Sequence, residues 1–248
     1  MEYSKRTQGG PGLVGLKVAD EVPADGLAVQ LFGLGHAFLD TILTEVGHAR
    51  GEYVDLVART PLPKAAQALA WELGTGSGVL AAVLARRGVS HVVATEQDPR
   101  ALACAADNFH RLGLAAKIEL LCCDLYPPDA ASRSPLIVCN PPWIPARAGT
   151  AIERAIYDEN STMLHAFLEG LRSRLAPGGE GWLILSDFAE HLGLRPRGEA
   201  LRLIEAAGLK LVQRHDTRPR HGKAMDTSDP LHLARVAEKT SLWRLTAA

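Results

Sequence analysis

Pro135-Leu136-Ile137-Val138-Cys139-Asn140-Pro141-Pro142-Trp143 is the stretch on which the reading of the fold turns. Its first five residues are a short apolar run of the kind that forms a buried strand. Two consecutive prolines then fix their φ angles and remove two backbone donors, so pairing stops and the chain makes a stiff corner at the strand's carboxyl end. An amide side chain stands before that corner and an indole after it. Together they suit a flat nitrogen-bearing group, whose NH2 the amide and exposed carbonyls accept and on whose face the indole stacks.

Upstream, Trp71-Glu72-Leu73-Gly74-Thr75-Gly76-Ser77-Gly78 reads as a strand end with one acidic residue, then three glycines at alternate positions. Val79, Leu80, Val83 and Leu84 follow at helical spacing, closed by Arg86, Arg87 and Gly88. Such a turn lets a ligand lie against bare backbone where strand becomes helix. Dinucleotide, flavin and adenosyl cofactors all use it, so alone it does not choose among them.

Beyond residue 65 the chain alternates. Strands are expected at 68–73, 91–96, 117–123, 135–139, 181–186, 209–215 and 241–246, and helices at 78–87, 99–112, 161–175 and 197–207. Pro99 suits a first helical turn, and Gly113, Gly178 and Gly208 suit helix exits. This predicts an α/β, Rossmann-like doubly wound sheet of seven strands, mostly parallel with a C-terminal antiparallel strand. Ligands of such sheets sit outside the strands' carboxyl ends, where the glycine turn and the proline corner both fall. Residues 1–55 read as a partly ordered extension with a helix at 35–46, placed to cap the site. Residues 53–63 read as a linker, and 56–248 as the main domain.

Composition sets bounds. With 248 residues, 47% of them apolar, the chain can bury a full core without disulfides or metal. A net charge of −1 supplies no global field towards nucleic acid. Cys104, Cys122, Cys123 and Cys139 lack CxxC spacing and are expected to be reduced, mostly buried thiols. Nine histidines show no paired ligand spacing, so no metal is expected. The start lacks an apolar signal core, and no apolar run reaches membrane-spanning length, so a cytoplasmic protein is expected.

Two further acids close strands. Glu96 ends the second, 18 residues beyond Gly78, where a carboxylate can accept both hydroxyls of a ribose. Asp124 follows the third and is placed to meet an adenine edge; an ordinary solvated strand end is its other reading.

Taken together, Glu72–Gly78, Glu96–Leu102, Cys123-Asp124-Leu125, Asn140–Trp143 and Leu175–Gly179 resemble the class I S-adenosylmethionine-dependent methyltransferases. The likeness is to the branch with a (D/N/S)PP(Y/F/W) motif, which methylates nitrogen on planar groups. Release-factor glutamine and ribosomal-RNA guanine-N2 methyltransferases look most similar. The resemblance implies a strand order of 3-2-1-4-5-7-6 and S-adenosylmethionine as cofactor. It implies that Gly74, Gly76 and Gly78 pack against that cofactor, with Thr75, Gln97 and Leu125 beside it. Glu72 would hold its amino-acid end, Glu96 its ribose and Asp124 its adenine. Asn140, Pro141, Pro142 and Trp143 would form the catalytic corner, accepting the N–H bonds of a protein amide or nucleic-acid base. Trp143 stands where the glutamine methyltransferases usually carry tyrosine, and their substrate-side segment is not reproduced at 52–57.

The acceptor is expected to be a macromolecule, either a protein such as a translation factor or RNA or DNA. Residues 147–160 read as a lid or an ordinary connection. Residues 214–223 carry Arg218, Arg220 and Lys223, either a phosphate contact or a solvated loop. Two alternatives stand beside a methyltransferase: a cofactor-binding scaffold without turnover, and a nicotinamide oxidoreductase, which gives no reason for the proline corner.

Overall fold

The computed structural model describes residues 52–129, 131–149, 153–218, 227, 228 and 230–248. The expected helix at 35–46 and the residues Arg220 and Lys223 lie outside them. The described residues form a seven-stranded sheet in the order β3-β2-β1-β4-β5-β7-β6. Its strands are β1 Leu69–Leu73, β2 His91–Glu96, β3 Ile118–Cys122, β4 Ser134–Cys139, β5 Leu175–Ser186, β6 Leu209–Thr217 and β7 Thr240–Ala247. Strands β1 to β5 run parallel. β7 is antiparallel to both β5 and β6.

Period-2 alternation sorts the strand side chains between two cores. Ala70, Leu136, Val138, Trp182, Ile184 and Leu242 face one side. They pack against helices α1 Glu52–Arg59, α2 Val79–Arg86 and α3 Pro99–Arg111 through Val54, Val57, Leu80, Leu84 and Phe109. Trp71, Leu73, Ile137, Leu183, Leu185 and Trp243 face the other. Their partners are Leu164, Phe167 and Leu171 of α4 Thr162–Arg174, and Ala200 and Ile204 of α6 Glu199–Ala206. Between these two helices, the short α5 Phe188–His191 follows β5; α7 His232–Ala237 precedes β7.

Helix starts follow local chemistry. Asp98 caps α3 by accepting from Arg100 N at 2.9 Å, with Pro99 in the first turn where its missing N–H costs nothing. Asp158 Oδ2 accepts from Met163 N at 2.8 Å in the first turn of α4.

Three expectations are corrected. The linker at 53–63 is instead helix α1 followed by a turn, and it buries Val54 and Val57 in the core. Gly178 does not end a helix. Helix α4 stops at Arg174, and the chain enters β5 at once, with Gly178 at φ 71° beside a register shift against β4. Cys122 is exposed rather than buried, because β3 is an edge strand; Cys104 and Cys123 are only partly covered, and Cys139 alone is buried. No helix among the described residues is long and apolar enough to cross a membrane.

Candidate functional site

The order of strands reverses between β1 and β4, the two neighbours at the centre of the sheet. Their register pairs Leu73 with Cys139, so the next residues along each strand, Gly74 and Asn140, leave the carboxyl edge side by side. Connections depart in opposite directions at such a point, which is the usual ligand position of a doubly wound sheet, and the glycine turn and the proline corner flank it.

On the glycine side, the turn runs from Gly74 to Gly78, which precedes α2 with φ 86°. A Cβ on Gly78 would stand 2.5 Å from the Phe109 ring, so helix α3 packs directly on this backbone. Gly76, at φ 55°, differs: a Cβ there would meet nothing within 4 Å. The left-handed backbone favours glycine at 76, and the open space beside it leaves bare main chain for a group to lie against. Asn108 of α3 is buried, and its Nδ2 donates to Ser77 O at 2.9 Å, which fixes the turn from behind.

Glu96 is held on both oxygens. Gly76 N donates to Oε2 at 3.0 Å and Asp98 N to Oε1 at 2.9 Å. Backbone donors thus aim the carboxylate, and each oxygen keeps a lone pair for a further donor. Gln97 is exposed beside it. Thr95 Oγ1 donates to Leu125 O at 2.6 Å, tying the loop after β3 to the end of β2. Leu125 has φ 57°, a left-handed conformation uncommon outside glycine, and Asp124 before it is exposed at the same edge.

Glu72 is 1% exposed on β1, one strand position before the turn. Neither its Oε2 nor the hydroxyl of Thr75 makes a well-formed hydrogen bond, although the Thr75 hydroxyl lies near enough to offset part of the burial cost. Burial pushes the Glu72 carboxyl up to about 8. A buried acid without a cation is costly, and an ammonium group placed against it would remove that cost.

On the other wall, Trp143 Nε1 donates to Asn140 Oδ1 at 3.0 Å. The indole meets the ring of Tyr53 edge-on, with centroids 6.3 Å apart. Burial pushes the Tyr53 phenol up to about 12, so it stays protonated at neutral pH. The main chain of the corner is clasped as well. Arg195, 3% exposed, donates from Nη2 to Trp143 O at 3.3 Å and to Ser161 Oγ at 3.0 Å. Ser161 and Asn160 both have positive φ, 54° and 59°, a backbone cost that this clasp helps to hold. Ile144 N donates to Ile156 O and Asp158 N to Ile144 O, so the described part of the 147–160 stretch is bonded to the corner. Tyr53, Asn108 and Arg195 join the site without a local sequence signal; for Tyr53 the spacing of Val54 and Val57, buried on one face of α1, is the one available clue.

The basic stretch gathers differently. Arg214 Nε donates to Asp216 Oδ1 at 2.6 Å, and its guanidinium lies 4.3 Å from the centre of the Trp243 ring. Arg218 is exposed at the end of β6.

The family model described as methyltransferase small domain matches residues 56–195. Release factor glutamine methyltransferase of Cereibacter sphaeroides is 34% identical over 153 residues, covering 57% of this chain and 52% of that protein. A tRNA1(Val) (adenine(37)-N6)-methyltransferase of Bacteroides fragilis is 29% identical, covering 59% of this chain and 66% of that protein. The chain thus spans about half the length of the release-factor relative. Among solved structures, ribosomal protein L11 methylase from Lactobacillus delbrueckii subsp. bulgaricus superposes with a TM-score of 0.55 at 16% identity, covering 82% of this chain and 80% of that one. Geranyl diphosphate C-methyltransferase from Streptomyces coelicolor A3(2) does so at 0.60 and 12% identity, covering 84% and 83%.

Proposed function

This chain belongs to the methyltransferase small domain family, and from that membership we propose that it transfers a methyl group from S-adenosylmethionine to an amide or exocyclic amino nitrogen of a macromolecule. One observation carries the reading. The Leu73–Cys139 register sets a glycine turn, open at Gly76, beside Asn140, with the buried Glu72 carboxyl, one of its oxygens unbonded, just behind. A dinucleotide would bring a pyrophosphate to this turn, which offers the buried Glu72 carboxyl no compensation for its charge, whereas an ammonium would favour its ionised form. Glu72 accepts from the amino group of the cofactor's amino-acid end. Gly76 leaves bare backbone for it, with Gly74, Thr75 and Gly78 completing the turn. Glu96 takes the ribose hydroxyls, and Asp124 with Gln97 and Leu125 borders the adenine.

When bound, S-adenosylmethionine supplies a methyl group already electrophilic on a sulfonium. The chain's task is therefore to position and polarise the acceptor nitrogen. An amide or arylamine nitrogen is a poor nucleophile because its lone pair is delocalised. Asn140 Oδ1 and the Pro141 carbonyl accept its two N–H bonds, favour a pyramidal nitrogen, and stabilise the positive charge that grows as the N–C bond forms. Pro142 keeps the corner stiff, and one proton leaves the nitrogen for solvent afterwards. Acceptors that strengthen as charge develops accelerate the step. The relatives named for glutamine and for adenine share this demand, a planar nitrogen with two hydrogens. Arg218 and the basic stretch near it form a contact for the acceptor macromolecule. Cytoplasmic residence belongs to the same reading, since all four cysteines are free thiols.

Radiolabelled S-adenosylmethionine incubated with cell lysate, then separated into protein, RNA and DNA, tests the proposal. Label entering one fraction with the native protein and not with Asn140→Ala is the expected result. Equal labelling by both, or none, overturns it.

A further inference from the structure

Asn140 and Trp143 are both partly exposed, yet the indole N–H donates to the Asn140 oxygen at 3.0 Å. The motif reading assigns this aromatic position to stacking on the acceptor, which uses the ring face alone. The indole nitrogen adds a donor that phenylalanine lacks and that tyrosine carries elsewhere. It also comes with its own supports: the Tyr53 ring stands edge-on to it, and Arg195 holds its carbonyl.

We infer that Trp143 is a positioning residue that pins the Asn140 carboxamide with its oxygen in place to accept from the incoming nitrogen. The inference rests on the proposed role of Asn140. The physical problem is an amide's freedom. A half-exposed asparagine samples three χ1 wells and two amide faces, about six orientations, most of which aim nothing, or the wrong group, at the acceptor. With NH2 turned inward, donor would face donor and the acceptor amine would be repelled. The indole N–H can bond only the oxygen, so it selects the amide face as well as the rotamer. One lone pair of Oδ1 is used by this bond and the other stays free for the acceptor. A neighbouring donor makes Oδ1 a slightly weaker acceptor, and the gain in orientation outweighs that loss.

The test has one readout without turnover and one with it. In the 15N spectrum of tryptophan-labelled protein, the Trp143 indole cross-peak is identified by its loss in Trp143→Phe, or in Trp143→Tyr should the first misfold. In Asn140→Ala that cross-peak is expected to shift and its proton to exchange faster; an unmoved, equally protected peak overturns the pin. In turnover, Trp143→Phe should lower kcat about sixfold, the number of orientations released, with KM and affinity for S-adenosylhomocysteine within twofold. On an Asn140→Ser background, whose hydroxyl is too short to reach the indole, the same change should cost less than twofold. An equal loss in both backgrounds overturns the inference, because the ring would then act on the acceptor directly. No loss in the native background overturns it too. If the native protein transfers no methyl group, the proposed function fails while the spectrum still decides the pin.

Discussion

Glu72→Gln should stabilise the empty protein at neutral and alkaline pH while removing most of its affinity for S-adenosylmethionine. The wild-type carboxyl is fully buried with one oxygen unpartnered, and burial lifts it from its ordinary 4.5 to about 8. The folded protein therefore keeps a proton that the unfolded chain has already lost. Below pH 4.5 both states are protonated and nothing is lost; between 4.5 and about 8 stability falls with pH; above about 8 the loss levels off. Each pH unit is worth about 1.4 kcal/mol, so the cost reaches about 3 kcal/mol at pH 7 and about 5 kcal/mol above pH 9. Glutamine cannot ionise and escapes this slope, although its buried NH2 returns about 1–3 kcal/mol of the gain if unpartnered. Urea unfolding of both proteins from pH 5 to 9 gives a difference curve in which other titrating groups cancel. It should rise by about 1.4 kcal/mol per pH unit to pH 8 and then flatten. Saturating S-adenosylhomocysteine should collapse the slope, since its ammonium favours the carboxylate, and binding near pH 7 should release a proton. A flat difference curve without ligand would refute the argument that Glu72 is an uncompensated buried acid.

Two glycine variants should part ways. Gly78→Ala meets the Phe109 ring and carries φ 86°, so it should lose about 2–4 kcal/mol of unfolding free energy. Gly76→Ala meets nothing, and should cost only about 1–2 kcal/mol of stability for its φ of 55° while lowering cofactor affinity at least tenfold by calorimetry. Glu96→Gln puts an NH2 against one of two backbone donors, Gly76 N or Asp98 N, and loses a charged acceptor; affinity for S-adenosylhomocysteine should fall by about 1.5–3 kcal/mol. Asn140→Ala should leave that affinity within twofold and slow turnover by about 3 kcal/mol, over a hundredfold in kcat. Arg195→Ala opens the clasp on Trp143 O and Ser161 Oγ and should cost about 1–3 kcal/mol by urea unfolding, with a parallel loss in kcat.

Much of this architecture is legible in the chain because each strand announces itself. Val92-Val93-Ala94 and Leu136-Ile137-Val138 are apolar on both faces, as strands between two helical layers must be, and both form central strands. The proline corner is legible for a covalent reason, since no other residue type removes two donors and fixes two φ angles in succession. Helix α1 was hidden because eight residues make barely two turns, and the Thr60-Pro61-Leu62-Pro63 run that follows reads as linker. Tyr53 went unseen with it. Cys122 was misplaced because an apolar run does not say whether its strand is central or at an edge. Arg195 could not be found at all: it lies in a polar segment with no periodicity. Its position comes from the chain's return across the carboxyl edge after β5, a tertiary event without a local signature. For Gly178, a bulge in a long strand and a helix exit call for the same residue type.

A crystal structure with S-adenosylhomocysteine bound tests the central claim most directly. The ligand's ammonium should lie against Glu72, its ribose on Glu96, and its sulfur should face Asn140 Oδ1 across room for one acceptor nitrogen. A ligand bound with its sulfur turned away from the proline corner, or seated elsewhere on the sheet, would contradict the account.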